Sequence, residues 1–458
     1  MIMTNPKTRI WEIGNKKVMF NSLHGKPLIP TEGLIRLLET FKEPRDQEDI
    51  IKTVSQKELR IIEDLVSMDF LINPLKDVYE KVKEREKQEL NNNLEGLNLY
   101  NLRLNVTSSC NLACQYCYVY QRKEEISSFK NMSTEIAEKS ISLFFKFLKE
   151  KEEQRIQTKA IPKIRYFGGE PLINFPVVKR SVELTSRLAE QYNIKVQSII
   201  NTNGTIYDQE IEKFLLSNQD LNLIISWDGL GDYHDLVRHS KNNEKSSKKI
   251  MKNFERMMDQ GIRPTISCVL SERNKDHLKE FIDYLAEKKL KYFGISVQTV
   301  SQTGDKMSSE EKAKRLIEVM SYAKEKGIEV DGPWSWQYRL FNDNTEVSYC
   351  GAVGGEIHVS ENGTAHPCHL VKLKYGDITK IKKLEELFVS QEYKTIINRT
   401  ISAMYDDCNS CDLEGLCAGG CMAESYERTG DYSKRGEGCE FKVEMTKQLL
   451  EKYLEEMD

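Results

Sequence analysis

No stretch of this 458-residue chain reaches the roughly 18 uninterrupted apolar residues of a membrane-spanning helix. Its first residues, MIMTNPKTRIWEIG, lack the apolar run of a secretory signal. A charge excess is missing too. The 67 Lys and Arg nearly balance the 71 Asp and Glu, for a net charge of −4, so electrostatics offer no reason to expect nucleic acid or a membrane surface as partner. The expectation is a cytoplasmic protein, long enough for two or three domains that each bury a core. In a reducing compartment disulfides are scarce, which changes what the eleven cysteines mean: clustered thiols there bind metal or do chemistry.

Ten of the eleven fall in two groups. Cys110, Cys114 and Cys117 lie in TSSCNLACQYCYVY, a CxxxCxxC spacing; Cys350, Cys368, Cys408, Cys411, Cys417, Cys421 and Cys439 form the second group. Cys268, in the apolar run TISCVL, reads as a buried strand residue. Three thiolates can ligate three irons of a [4Fe–4S] cubane and leave the fourth open to a small molecule. Zinc held by three cysteines and a remote side chain competes, although CxxxCxxC is unusual spacing for it.

Hydrophobic patterning divides the chain. Residues 1–75 begin with strand-like RIWEIG and KKVMFN and continue with helical EGLIRLLETF and ELRIIEDLVSMDFLI, an order resembling a winged helix-turn-helix; residues 76–97 read as a charged helical linker. From 98 to 330, strand-like NLRLNV, KIRYFGG, IKVQSIIN, LNLIISW, RPTISCVL and KYFGISV alternate with helical segments. Six strand–helix units imply an α/β fold, a parallel sheet curved into a partial (β/α)6 TIM-like barrel, with chemistry at the C-terminal strand ends. The CxxxCxxC loop directly follows the first strand. A bridging segment, 331–349, leads to a cysteine-rich region, 350–458, which opens on a hairpin with its turn at Asn362-Gly363 and closes with a helix.

CNLACQYC after the first barrel strand and YFGGEPL at the end of the second resemble the radical S-adenosylmethionine (SAM) superfamily. The resemblance implies that SAM chelates the open iron and, on one-electron reduction, yields a 5′-deoxyadenosyl radical that abstracts hydrogen from substrate. It implies SAM-binding roles for Tyr116 near adenine; Gly168, Gly169 and Glu170 at the amino group; Asn203 and Ser226 near ribose and methionine; and Arg238 at the carboxylate.

The second cysteine group resembles the SPASM domain, which holds two auxiliary [4Fe–4S] clusters and brings the implied total to three. Cys350 and Cys368 fit C-x12-G-x4-C, Cys408 to Cys421 fit C-x2-C-x5-C-x3-C, and Cys439 completes the set. The resemblance assigns Cys408, Cys411, Cys417 and Cys439 to an outer cluster and Cys350, Cys368 and Cys421 to an inner one. GAVGGEIHVSENGTAHP supplies no further cysteine, so the inner cluster's last iron is open to a substrate thiolate or filled by His358, His366, His369 or Glu356.

Residues 1–75 resemble the leader-recognition domain of enzymes that modify ribosomally made peptides, where an extended leader adds as a strand to a ribbon edge. Winged helix-turn-helix domains also bind DNA, but the segment mixes both signs of charge evenly. Taken together, the resemblance implies a peptide maturase of the sactipeptide or ranthipeptide type, which forms cysteine-sulfur-to-carbon thioethers in a precursor and is reduced by flavodoxin or ferredoxin. A carbon–carbon crosslinking maturase and a formylglycine-forming sulfatase-maturing enzyme are the enzymatic alternatives. A zinc-stabilised peptide- or DNA-binding regulator is the non-enzymatic one. No catalytic acid or base stands out; Asp228, Tyr338 and Glu356 are candidates without an assigned role.

Overall fold

The computed structural model describes residues 1–117, 130–157, 160–242, 244–297, 306–342, 347–436 and 438–457; the side chains of 156–157 and 335–338, Tyr338 among them, lie outside that description. Two compact units are assembled from segments distant in sequence. One comprises Met1–Leu90, Trp334–Tyr349 and Arg399–Asp458, the other Asn91–Pro333 and Cys350–Asn398.

In the first unit, β1 (Met3–Thr4) precedes the antiparallel ribbon β2 (Thr8–Ile13), β3 (Lys16–Asn21) and β4 (Gly25–Leu28), while β5 (Leu71–Ile72) returns to pair with β1. Between β4 and β5 run helices Glu32–Thr40, Gln47–Thr53 and Gln56–Ser67. Each starts on a side-chain cap, Thr31, Asp46 or Ser55, and Ser55 with Glu58 forms a full capping box. This is the ribbon-and-helices order the sequence predicts. Strand β3 is buried on both faces because its side chains alternate. Met19 packs with Leu38, Phe41, Ile62 and Phe70 of the helical layer, whereas Val18 and Phe20 pack with Leu413, Leu416 and Leu450. A buried polar link accompanies them: Lys7 Nζ and the Tyr79 hydroxyl each donate to Glu414 at 2.5 Å.

The second unit is built on one sheet. Strands β6 (Asn101–Thr107), β7 (Lys163–Gly168), β8 (Gln197–Thr202), β9 (Asn222–Ser226), β10 (Thr265–Leu270) and β11 (Tyr292–Val297) are the six expected, in the expected order and all parallel. Helices Thr134–Glu150, Phe175–Tyr192, Gln209–Ser217, Ser247–Asp259, Leu278–Glu287 and Ser309–Glu325 follow them in turn. Along β7, Ile164 and Tyr166 are buried, with the Tyr166 hydroxyl on Thr185 of the following helix, so Lys163, Arg165 and Phe167 stand on the inner face. The sheet curls: burial and Arg165 lower the Lys163 pKa, and Asp331 on β12 (Glu329–Asp331) is close enough to offset part of this, although four strands lie between β12 and β7.

Past β6 the sheet continues with β13 (Glu356–Val359), parallel to it, then β14 (Thr364–His366) and β15 (Gly376–Asp377), both antiparallel. The expected hairpin is β13–β14, turning at Asn362 and at Gly363 with φ +88°. Its membership of the barrel sheet was not anticipated, since nothing local marks which distant strand a hairpin edge will meet.

Candidate functional site

The three N-terminal cysteines lie on the loop that leaves β6. The loop is held by backbone bonds to another segment, Ala113 N to His239 O at 2.8 Å and Gln115 N to Val237 O at 2.9 Å. The next strand end is fitted against it. Gly169 N donates to Thr107 O at 2.7 Å and Glu170 N to Ser109 O at 2.8 Å. A Cβ on Gly168 would meet Thr107 O at 2.1 Å, and one on Gly169 would meet Ser109 O at 2.1 Å; Gly168 also has φ +142°. Both positions therefore admit only glycine, for reasons of backbone approach that the motif by itself does not reveal.

Glu170 is fully buried and ties two strand ends together. Its carboxylate accepts from Leu172 N at 3.0 Å, the Thr202 hydroxyl at 2.8 Å and Asn203 N at 2.6 Å. Burial pushes its pKa up to about 7 against the restraint of these donors. Contact with a SAM ammonium would be an additional bond for this group. Asn203 reaches the cysteine loop: its Nδ2 lies 2.8 Å from Asn111 Oδ1 and 3.8 Å from Cys110 Sγ.

A second group surrounds Asp228, just past β9. Its Oδ2 accepts from the Tyr116 hydroxyl and, at 2.7 Å, from Arg238 Nε; its Oδ1 accepts from Val269 N at 2.9 Å. The Arg238 guanidinium lies 5.1 Å from the centre of the Tyr116 ring. Burial would raise the Asp228 carboxyl, but the adjacent guanidinium outweighs it and holds the group below the usual carboxylate range. His234 is kept neutral by burial, which lowers its pKa to about 4, and its Nδ1 accepts from Asp228 N at 3.1 Å. Among the described residues only Nε of Arg238 has a partner, leaving its two terminal nitrogens for a ligand carboxylate. Ser226 is half-buried on the inner face of β9. Asp228, one of the three candidates without an assigned role, stands in a buried ion pair with Arg238. His234, Thr202 and Asn111 carried no signal beyond their polar type.

The C-terminal cysteines separate by unit. In the first, Cys408 feels the charges of Cys417, Cys411 and Cys439, and Cys417 those of Cys439 and Cys411, so these four converge. Cys421 lies near Glu424 and Lys442, whose charges act on its thiol. In the second unit Cys350 and Cys368 lie close enough to Tyr375 for both to raise its pKa, which burial already lifts. Cys110, Cys114 and Cys117 likewise interact with one another. Yet among the described residues no three His, Cys, Asp or Glu side chains stand close enough to hold a single metal ion. Tetrahedral zinc would draw its sulfurs to roughly 3.8 Å of each other. Thiols that converge more loosely fit a cluster that spreads its ligands over four irons.

The candidates for a fourth inner ligand have other partners. Glu356 accepts from Asn101 Nδ2 and is ion-paired to Arg103 Nη2 at 3.2 Å. His369 Nδ1 accepts from Arg103 Nη1 at 2.9 Å, and His366 Nδ1 donates to Leu373 O at 3.0 Å. His358 is buried, with no partner for Nδ1 among the described residues and its pKa driven well below normal by that burial.

Residues 104–285 match the family described as the radical SAM superfamily, and 350–412 match the SPASM iron–sulfur cluster-binding domain. The radical SAM cyclopropyl synthase TigE of Paramaledivibacter caminithermalis is 23% identical over 95% of this chain and 92% of its own length. A cysteine-type anaerobic sulfatase-maturating enzyme of Clostridium perfringens is 24% identical over 69% of this chain and 86% of its own. The crystal structure of Streptococcus suis SuiB bound to its precursor peptide SuiA shares the fold with a TM-score of 0.55 at 14% identity, covering 96% of this chain and 99% of SuiB. Among the described residues no helix is long and apolar enough to cross a membrane.

Proposed function

This chain is a radical SAM enzyme with a SPASM iron–sulfur domain, and we propose that it matures a ribosomally made precursor peptide by joining a cysteine sulfur to a carbon of another residue. Its cofactors are [4Fe–4S] clusters and SAM. Held by Cys110, Cys114 and Cys117, one cluster with SAM would supply the radical chemistry for hydrogen abstraction from the substrate, with flavodoxin or ferredoxin as the proposed electron donor.

The chain's own residues then have these roles. Cys110, Cys114 and Cys117 hold three irons, Asn203 steadies Cys110, and the closely fitted Gly168–Gly169 turn sets the floor for the SAM amino group. Arg238, oriented by Asp228, offers its terminal nitrogens to the SAM carboxylate. Cys408, Cys411, Cys417 and Cys439 enclose the outer auxiliary cluster. What carries the thioether reading is that the segment after Cys350 supplies no fourth cysteine for the inner cluster, and that of the other candidate ligands Glu356, His366 and His369 already have partners, which leaves buried His358 as the one protein group to exclude. An iron left open there suits a substrate thiolate, which coordination would keep deprotonated and in place.

Carbon–carbon closure is the second reading, favoured by the match to a cyclopropyl synthase across 95% of the chain. Formylglycine formation is favoured less. Its relative spans 69% of the chain, and that reaction needs no leader-binding ribbon. Anaerobic incubation of reconstituted enzyme with SAM, reductant and the cysteine-containing peptide encoded nearest its gene, read by mass spectrometry before and after thiol alkylation, separates the readings. Loss of two hydrogens with one fewer alkylatable thiol supports the thioether; the same mass loss with every thiol still alkylatable supports carbon–carbon closure.

A further inference from the structure

Arg103 on β6 and Arg165 on β7 are register partners, and both stand on the inner face of the sheet because Leu102, Leu104, Ile164 and Tyr166 alternate with them in the outer core. Two guanidinium groups are thus side by side in a largely enclosed place, an arrangement that is unfavourable unless anions balance it. One anion is present. Glu356, on the strand flanking the other side of β6, pairs with Arg103 at 3.2 Å, and His369 accepts a further Arg103 hydrogen bond at 2.9 Å. Arg165 has no hydrogen bond or ion pair to any described residue. Its Nε, like that of Arg103, is shut off from solvent with no partner. Lys163 adds a third cation on the same face of β7, with the Asp331 carboxylate near enough to act on it. Burial lowers the pKa of Arg165 and Arg103 lowers it further, while Glu356, already paired with Arg103, offsets only part of this.

We propose that Arg165, with Arg103 beside it, binds a substrate carboxylate inside the barrel, either an acidic side chain or the C-terminus of the peptide. The inference rests on the peptide-maturase reading. A guanidinium fork matches a carboxylate in two parallel hydrogen bonds, and the enclosed setting strengthens them. Arg165 lies three residues before Gly168 on β7, roughly 10 Å below the strand end at a strand's rise. An anchored carboxylate would therefore hold a peptide residue about three positions away at the level of the cysteine loop. Arg238, at the strand end, remains the partner for the SAM carboxylate.

Arg165→Met retains bulk and removes the charge. The peptide-free holoenzyme carrying it is expected to unfold at the same or a higher temperature, since a buried charge without a partner has been removed. Its KM for the precursor peptide encoded beside the gene is expected to rise about tenfold or more, while the SAM dissociation constant, measured without peptide, does not follow. Peptides with each Asp→Asn, each Glu→Gln, or an amidated C-terminus locate the anchor: one of them loses affinity for the wild type and loses nothing more with Arg165→Met. Anaerobic crystals of the holoenzyme soaked in sodium bromide give a readout that needs no peptide. An anomalous peak at Arg165, absent in the variant, supports the site; its absence from the wild type overturns it. Unchanged peptide KM in Arg165→Met overturns it too, as does a parallel loss of SAM affinity, which would assign the arginine to SAM. If wild-type enzyme converts no peptide, the maturase reading fails, and the bromide experiment still decides whether the arginines bind an anion.

Discussion

Asp228 Oδ2 and Arg238 Nε lie 2.7 Å apart in a pair whose carboxylate is wholly buried, and Tyr116 donates to the same oxygen. Tyr116 sits between two cysteines of the first triad, so this pair joins the cysteine loop to the end of β9. Removing the carboxylate's charge leaves a buried guanidinium without compensation. Asp228→Asn is expected to lose about 3–5 kcal/mol of stability and to bind SAM more weakly, as read by anaerobic denaturant unfolding and equilibrium binding.

The Gly169→Ala variant tests the close approach of β7 to the cysteine loop. Its Cβ would fall 2.1 Å from Ser109 O, and backbone cannot yield as a flexible side chain does. The variant is expected to lose about four irons per chain, one cluster's worth, with the auxiliary-cluster absorbance retained. Iron analysis and visible spectra check it.

Glu170 carries a pH signature. Its folded carboxyl protonates at about 7 against an ordinary 4.5, so the folded chain holds the proton more tightly than the unfolded one. Stability from this group is complete below 4.5 and declines as pH rises through about 7. The stability of wild type minus that of Glu170→Gln is therefore expected to fall between pH 5 and pH 8 in anaerobic thermal unfolding. A flat difference would mean the carboxylate is already ionised at pH 5.

Cysteine-to-serine variants distinguish the two auxiliary sets. Cys408→Ser and Cys411→Ser are expected to perturb the same cluster's electron paramagnetic resonance signal, since their sulfurs converge with Cys417 and Cys439. Cys421→Ser is expected to perturb a different one. One common signal for all three variants would contradict the assignment.

Lys442 is buried, its charge lowers the pKa of Cys417 against the effect of burial, and its Nζ lies 5.2 Å from the centre of the Tyr349 ring. A cation beside a cluster favours the reduced form. Lys442→Met is expected to lower one auxiliary reduction potential by a few tens of mV, measured by redox titration.

Much of the site was legible because ligand chemistry is local in sequence. CxxxCxxC fits within eight residues, and the order of the strands follows from hydrophobic runs of strand length separated by helical ones. Less was legible where a residue's meaning depends on its partner. Arg238 could be matched as a basic residue near SAM, but its bond to Asp228 joins two loops through the folded core. Glu170 was expected to meet an ammonium; that it also clamps Asn203 and Thr202 depends on β7 and β8 lying side by side.

The sequence by itself determined the radical SAM and SPASM character of the chain, the six parallel strands and the positions of its thiol groups, because periodicity and short spacings are properties of neighbouring residues. Only the tertiary structure decided that β13 extends the barrel sheet and that Glu356 pairs with Arg103 while Arg165 Nε is buried without a hydrogen-bond partner among the described residues. A net charge of −4 conceals that arrangement. Charge acts through space over a few ångströms, and it is folding that brings residues far apart in sequence within that range.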